Sequence, residues 1–207
     1  MKLYDTPLAP NPRRVRWVMA EKGIEDIEIV RLSLLDGEHK APDFVAKAGA
    51  PRIPVLELDD GRMIGESIAI CRYLESRSPE PNLFGRDAEE TAEIEMWMRR
   101  AEMLVATPIM LWVRLTAPAL AVLETPNPAV GEYQRRVGME GLEMLDKRLA
   151  GRDWLAADRL TIADIVAFIG VDFARLIRFR PPETLANLNR WAEAMRARPA
   201  AKAGATA

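Results

Sequence analysis

The chain of 207 residues contains one cysteine and one histidine. A single cysteine forms no intrachain disulfide, and the pair is too few for a Cys/His zinc site, so no metal is expected. A Cys-His catalytic dyad is not expected either, because Cys71 falls within an apolar helical pattern. Excess charge is also missing: 29 Lys and Arg stand against 31 Asp and Glu, a formal net charge of −2. That balance argues against wholesale binding of nucleic acid or of an anionic membrane surface. Long apolar runs are absent. The most hydrophobic stretch, Ile162 to Val171, is broken by Asp164 and falls well short of the roughly 20 residues that span a bilayer. The opening Met1-Lys2-Leu3-Tyr4-Asp5 lacks the apolar core of a signal peptide, so a cytoplasmic location is expected. What remains is a chain that is 49% hydrophobic and 29% charged, the composition of a folded globular protein. With few side chains suited to covalent chemistry, any enzyme built from it is expected to borrow its reactive group from a cosubstrate.

The two halves differ in periodicity. In the first, Lys2–Tyr4, Ile27–Leu32 and Pro54–Leu58 read as strands, and Asp59-Asp60-Gly61 reads as a hairpin turn returning through Arg62–Ile64. Helices are expected over Arg13–Lys22, with Gly23 as a stop, and over Glu66–Ser76. The order is β-α-β, a connection, then β-β-α. Ser78 to Gly85, with two prolines, reads as a linker. Beyond it no strand pattern occurs. Helical patterns cover Asp87–Leu123, interrupted or kinked near Pro108 and Pro118, then Pro128–Leu149, Ile162–Phe179 and Glu183–Arg196. The alanine-rich tail after Pro199 is expected to fray. The fold class is thus an α/β domain over 1–77, a linker over 78–86 and an all-helical domain over 87–207.

Four local patterns could carry chemistry. Asn11-Pro12 reads as an N-cap followed by proline at the first helical position. The free N–H groups of such a turn attract anions, and Arg13 and Arg14 add charge, although a capped helix with solvated arginines explains the same residues. A dithiol redox site would place Cys-x-x-Cys here, and Ala9 and Pro12 occupy that frame. Pro54 after Ile53 suggests a special backbone, a cis bond or an edge strand that begins with proline. A cis bond would leave the Ile53 backbone free to pair with a ligand lying alongside. Glu66-Ser67 reads as a helix start that either caps or holds a ligand's ammonium and carboxylate. Thr161 and Asp164 have capping-box spacing and read as a folding signal.

In order and spacing, these pieces resemble the cytosolic glutathione transferases over essentially the whole chain. The resemblance rests on Arg52-Ile53-Pro54-Val55-Leu56, Glu66-Ser67-Ile68-Ala69-Ile70, the linker Pro81-Asn82-Leu83-Phe84-Gly85 and the Thr161–Asp164 box. The opening Leu3 to Val15 resembles a bacterial and yeast-type branch without the usual catalytic Tyr, Ser or Cys. The resemblance implies a thioredoxin-like first domain, a helical second domain and glutathione as cosubstrate. It implies that Glu66 and Ser67 hold the γ-glutamyl amine and carboxylate, and that Ile53, before Pro54, pairs with the cysteinyl unit. His39 and Lys40, with Arg52 nearby, would face the glycyl carboxylate. Leu8, Ala9, Trp112, Arg114 and Thr116 would line the pocket for a small hydrophobic electrophile, and a homodimer is implied. Two departures stand out. Ala48-Gly49-Ala50-Pro51 replaces the frequent Asn-Pro-x-Gly, and Ala9 stands where serine-type members carry the hydroxyl that stabilises the thiolate.

Asn11 is the best-placed substitute by position, with a backbone N–H or a bound water as the alternatives. Lowering a thiol pKa from about 8.5 to about 6.5 takes roughly 2.7 kcal/mol. A helix N-terminus supplies about 0.3–1 kcal/mol, and up to about 2 when partly buried. One hydrogen bond to the charged form adds about 1.5–3 kcal/mol, so helix and donor together suffice. The expected activity is conjugation of glutathione to electrophiles, or their reduction, as in detoxification. A non-catalytic glutathione-binding or scaffolding protein and a glutathione-dependent disulfide or peroxide reductase remain as alternatives.

Overall fold

The computed structural model describes residues 1–7 and 9–203. Its contacts divide the chain into two compact units, one from Met1 to Pro81 joined by the terminal segment from Pro199, the other from Asn82 to Arg198.

The first unit is built on a four-stranded sheet of order β2-β1-β3-β4, with β1 Lys2–Asp5, β2 Glu28–Arg31, β3 Val55–Glu57 and β4 Met63–Ile64. β1 runs parallel to β2, with Leu3 opposite Ile29, and antiparallel to β3, with Leu3 opposite Leu56. The parallel pair requires a crossover, which α1 Pro10–Glu21 provides. Alternation along β1 buries Leu3 and Asp5 on one face and half-buries Tyr4 on the other. Leu3, Leu56, Val15, Trp17 and Val18, with Ile70, Cys71 and Leu74 of α3 Ser67–Arg77, form a fully buried core. Cys71 belongs wholly to this core, and burial pushes its thiol up to about 12, which leaves it inert at neutral pH. Lys22, just past α1, pairs with Glu75 (2.7 Å) and donates to the carbonyls of Ser78 and Pro81, tying α1 to the end of α3 and to the start of the linker.

Three expectations change in this unit. A seven-residue helix, α2 Pro42–Ala48, occupies what read as a connection. α1 begins at Pro10, two residues before the first helical position expected at Pro12, with Ala9 as N-cap and no side-chain cap. Pro10 and Pro12 both fit a first turn whose N–H groups have no helical partner, so neither delays the helix. The tail after Pro199 does not fray at its start: Pro199–Lys202 form a 3₁₀ turn packed on α1, with Ala200 and Ala201 buried. That part of the tail therefore joins the first unit, not the helical half to which the sequence pattern assigned it.

The second unit contains α4 Ala88–Ala101, α5 Thr107–Thr116, α6 Pro128–Arg148, α7 Ile162–Phe173 and α8 Ala186–Ala197. Asp87 caps α4 by accepting from Glu90 N (2.8 Å), and Asn127 caps α6 by accepting from Val130 N (3.2 Å). α7 is buried from Ile162 to Val171, the central position its composition suggested. Its box closes as the spacing predicts, with Thr161 N and Oγ1 donating to Asp164 Oδ2 at 3.1 and 3.0 Å. Leu155 N and Trp191 Nε1 donate to the other carboxylate oxygen. The chain stays helical through Pro108 by widening into a π turn over Glu102–Ala106, closed by the Thr107 N–H on the Glu102 carbonyl. Pro108 has no N–H to offer the Leu104 carbonyl four residues earlier. That carbonyl lies against Gly141 of α6, where an added Cβ would sit 2.2 Å from its oxygen.

Candidate functional site

The expected site residues of the first unit fall at the start of α1, the entry to β3, the start of α3 and a 3₁₀ turn over Glu38–Lys40.

At the start of α1 the anion-binding capacity is narrow. Pro10 and Pro12 have no N–H, and the Arg13 N–H already donates to the Ala9 carbonyl (3.2 Å). Between Pro10 and Arg13, Asn11 is therefore the residue whose backbone N–H is left over, and its exposed side-chain amide has no partner among the described residues. Leu8, expected in the electrophile pocket, lies outside the described residues; Ala9 is half-buried.

Tyr4 turns away from thiol chemistry. Its hydroxyl donates to Glu57 Oε2 at 2.6 Å, its ring meets Phe44 edge-on at 5.4 Å, and Lys47 pairs with Glu57 at 2.8 Å. The bond to the Glu57 carboxylate pushes the phenol pKa above its usual 10, so Tyr4 stays protonated.

At the entry to β3 the Ile53–Pro54 bond is cis, one of the two readings the sequence left open. Sheet pairing begins at Val55, so the Ile53 N–H and C=O take no part in it.

Glu66 and Ser67 open α3. Glu66 takes φ +60°, an uncommon conformation for a residue with a Cβ, and costs of this kind, about 1–3 kcal/mol, gather at functional positions. Capping does not account for the pair. Glu66 makes no side-chain cap bond, and its exposed carboxylate has no partner among the described residues. Ser67 is 6% exposed, and its Oγ accepts from Arg14 Nη1 at 3.4 Å. Arg14, expected in solvent, is only 2% exposed. A hydroxyl that accepts from a guanidinium has its own O–H left to donate outward, and the buried cation behind it favours an anion in front. Sequence reasoning missed this support, because an arginine in an Arg-Arg pair gives no sign of which member is buried.

His39 is half-buried, and its Nδ1 is buried without a hydrogen-bond partner. Burial of the ring pushes its pKa below the usual 6.5, and the nearby Lys40 and Arg52 charges act in the same direction. The Lys40 and Arg52 charges therefore lie close to the His39 ring. No hydrogen bond or ion pair links Asn11 to these three residues or to Glu66 among the described residues.

A second support was also not read from the sequence. Asp5 is 2% exposed and pairs with Arg16 of α1, which also donates to the Thr6 carbonyl at 3.3 Å. Burial pushes the Asp5 carboxyl up and Arg16 pulls it down. The pair fixes the end of β1 and the turn into α1.

In the second unit, the expected pocket residues lie along α5. Trp112 meets Phe179 edge-on at 5.0 Å, Arg114 pairs with Glu124, and Thr116 donates back to the Trp112 carbonyl at 2.7 Å. Arg114 and Thr116 are therefore already engaged within their own unit. Among the described residues no group of three His, Cys, Asp or Glu could hold a metal ion, and no helix is long and apolar enough to cross a membrane.

Comparison with known proteins identifies the family. Residues 9–77 match the glutathione S-transferase N-terminal domain and residues 105–199 the C-terminal domain. Glutathione S-transferase 2 of Saccharomyces cerevisiae is 36% identical over 98% of this chain and 88% of its own. The crystal structure of Gtt2 from the same yeast is 36% identical, with a TM-score of 0.91 over 98% of this chain and 99% of that one. A glutathione S-transferase domain-containing protein from Marinobacter aquaeolei is 38% identical, with a TM-score of 0.91 over 97% and 99% of the two chains. With its thioredoxin-like sheet, its helical second unit and these relatives, the chain belongs to the glutathione S-transferase family.

Proposed function

We propose that the protein is a glutathione transferase that binds glutathione on its first unit, ionises the thiol beside Asn11 and directs it at a small hydrophobic electrophile. The observation that carries the reading is the start of α3. An exposed Glu66 carboxylate, unpartnered among the described residues, stands next to a buried Ser67 hydroxyl backed by Arg14. This suits a ligand end carrying both an ammonium and a carboxylate. The cluster of His39, Lys40 and Arg52 suits a second carboxylate, and the Ile53 backbone, outside the sheet pairing, suits a peptide unit. Glutathione carries all of these groups.

In the proposed reaction the bound thiol loses its proton to solvent. The remaining thiolate is held by the Asn11 amide donors and the helix end. The thiolate forms a carbon–sulfur bond to the electrophile, and the leaving group departs with the electron pair of the bond it breaks. Binding supplies orientation as well as ionisation. On the first unit, Ala9 is proposed to border the electrophile. A second copy is proposed to cover Met96 and Met103, which are 41% and 57% exposed while the intervening Trp97 and Met98 are buried.

A non-catalytic glutathione binder is the second reading, favoured by Ala9, which offers no hydroxyl, and by the two prolines that remove N–H donors from the same turn. Titration calorimetry with glutathione, followed by turnover of a chloro-dinitro aromatic substrate, separates the two. Saturable binding with turnover supports the transferase, saturable binding without turnover on aromatic halides or hydroperoxides supports the binder, and no binding removes both.

A further inference from the structure

We propose that the terminal 3₁₀ turn, through Arg13, is a positioning element for the thiol-binding turn of α1; the inference rests on the glutathione reading above. The first turn of α1 is poorly anchored by its own backbone. Its N-cap is Ala9, which has no side-chain acceptor, and two of its first three residues are prolines. Arg13 closes the turn through its N–H on the Ala9 carbonyl, and its half-buried guanidinium reaches in the other direction. Nη2 donates to the Ala201 carbonyl at 3.1 Å, across 188 residues of sequence.

The receiving segment is built for the contact. Pro199–Lys202 form a 3₁₀ turn that packs on α1. Ala200 and Ala201 are 7% and 4% exposed, and their small side chains allow the close approach. The Ala203 N–H is taken by the Ala200 carbonyl, and among the described residues the donor to the Ala201 carbonyl is the Arg13 guanidinium. A carbonyl at a helix end has no backbone donor, and a charged donor satisfies it better than a neutral one. The chain belongs to the helical unit up to Arg198 and to the first unit from Pro199, so a segment outside the sheet domain's own sequence secures the turn that carries Asn11. In this proposal Arg13 acts by setting where the Asn11 donors stand, not by contact with the reacting atoms. Misplacement of such a group weakens the thiolate without weakening the rest of the ligand's contacts.

The test uses the full-length chain with Arg13→Met, which keeps the stem and loses the donors, and Arg13→Lys, which keeps one donor. A chain ending at Arg198, with and without Arg13→Met, completes a double-mutant cycle. Readouts are the ultraviolet thiolate absorbance of bound glutathione against pH, kcat and KM, and the affinity for S-methylglutathione, whose sulfur cannot ionise. Arg13→Met is expected to raise the bound thiol pKa by about half a unit to one unit and to lower kcat about three- to tenfold. Affinity for S-methylglutathione should stay within about twofold, because the ligand's ends are bound elsewhere. Arg13→Lys should recover much of the loss, and in the shortened chain Arg13→Met should add nothing. An unmoved pH profile in Arg13→Met, whatever its thermal stability, overturns the proposal while leaving the glutathione reading intact. Failure of the unaltered protein to bind S-methylglutathione removes the glutathione reading itself, and this inference with it.

Discussion

The Tyr4 hydroxyl donates its proton to Glu57 at 2.6 Å, beside the Glu57–Lys47 ion pair. A tyrosine at the end of β1 would be the obvious thiol activator in a transferase, and here it is committed to another partner with a raised pKa. Tyr4→Phe is therefore expected to leave kcat/KM for glutathione within about threefold of the unaltered enzyme. It should cost about 0.5–1.5 kcal/mol in a denaturant melt, the value of one partly exposed hydrogen bond. A loss of several hundredfold in turnover would return Tyr4 to the mechanism.

The Arg14–Ser67 contact predicts a binding defect. Ser67→Ala removes the hydroxyl proposed to face the γ-glutamyl carboxylate and takes away an acceptor of the buried guanidinium. The Kd for S-methylglutathione should rise about 10- to 100-fold, the effect of losing one charge-assisted hydrogen bond. Ser67→Thr, which keeps the oxygen, should recover part of it. Calorimetry reads both.

The single histidine gives one imidazole signal in a proton NMR titration. In the free protein it should titrate below 6.5, because burial and the neighbouring cations disfavour the charged form. If His39 meets the glycyl carboxylate, saturation with S-methylglutathione raises that pKa. By linkage, affinity then strengthens as pH falls from 7 to 6, by about two- to fivefold. His39→Gln should abolish the pH dependence. A titration unchanged by ligand would separate His39 from the site.

Stability in acid should depend on Glu90. Arg159 holds its carboxyl down to about 2 through a hydrogen-bonded ion pair, and the same guanidinium ties Asn82 in the linker. A depressed folded-state pKa stabilises above the unfolded value of about 4.5 and is lost as pH falls towards 2. Arg159→Met should therefore lower the melting temperature at pH 7 and flatten its decline between those limits. Melting curves across that range check it.

Much of the architecture was legible in the sequence. Long periodic segments such as 128–148 and 162–173 gave their helices, because packing and local propensity agree there. The Thr161–Asp164 box was readable because its spacing is the mechanism. α2 was not, since seven residues carry too few periods to stand out from a loop. Asn11-Pro12 pointed to the right turn and the wrong cap, because Pro10 suits the first turn equally well. The supports of the site were hidden for a different reason. Arg13, Arg14 and Arg16 are alike in type, and only long-range packing sends one to the tail, one to Ser67 and one to Asp5.

The central claim is that Asn11 supplies the donors that ionise the bound thiol, and the pKa of glutathione in its complex with the enzyme tests it most directly. Thiolate absorbance against pH should place that pKa about two units below the free value of about 8.5 in the unaltered protein. In Asn11→Ala, which keeps one backbone N–H and loses the amide, it should rise by about one unit or more, with kcat falling in parallel while S-methylglutathione still binds. An unchanged pKa in Asn11→Ala, with full activity, would contradict the account.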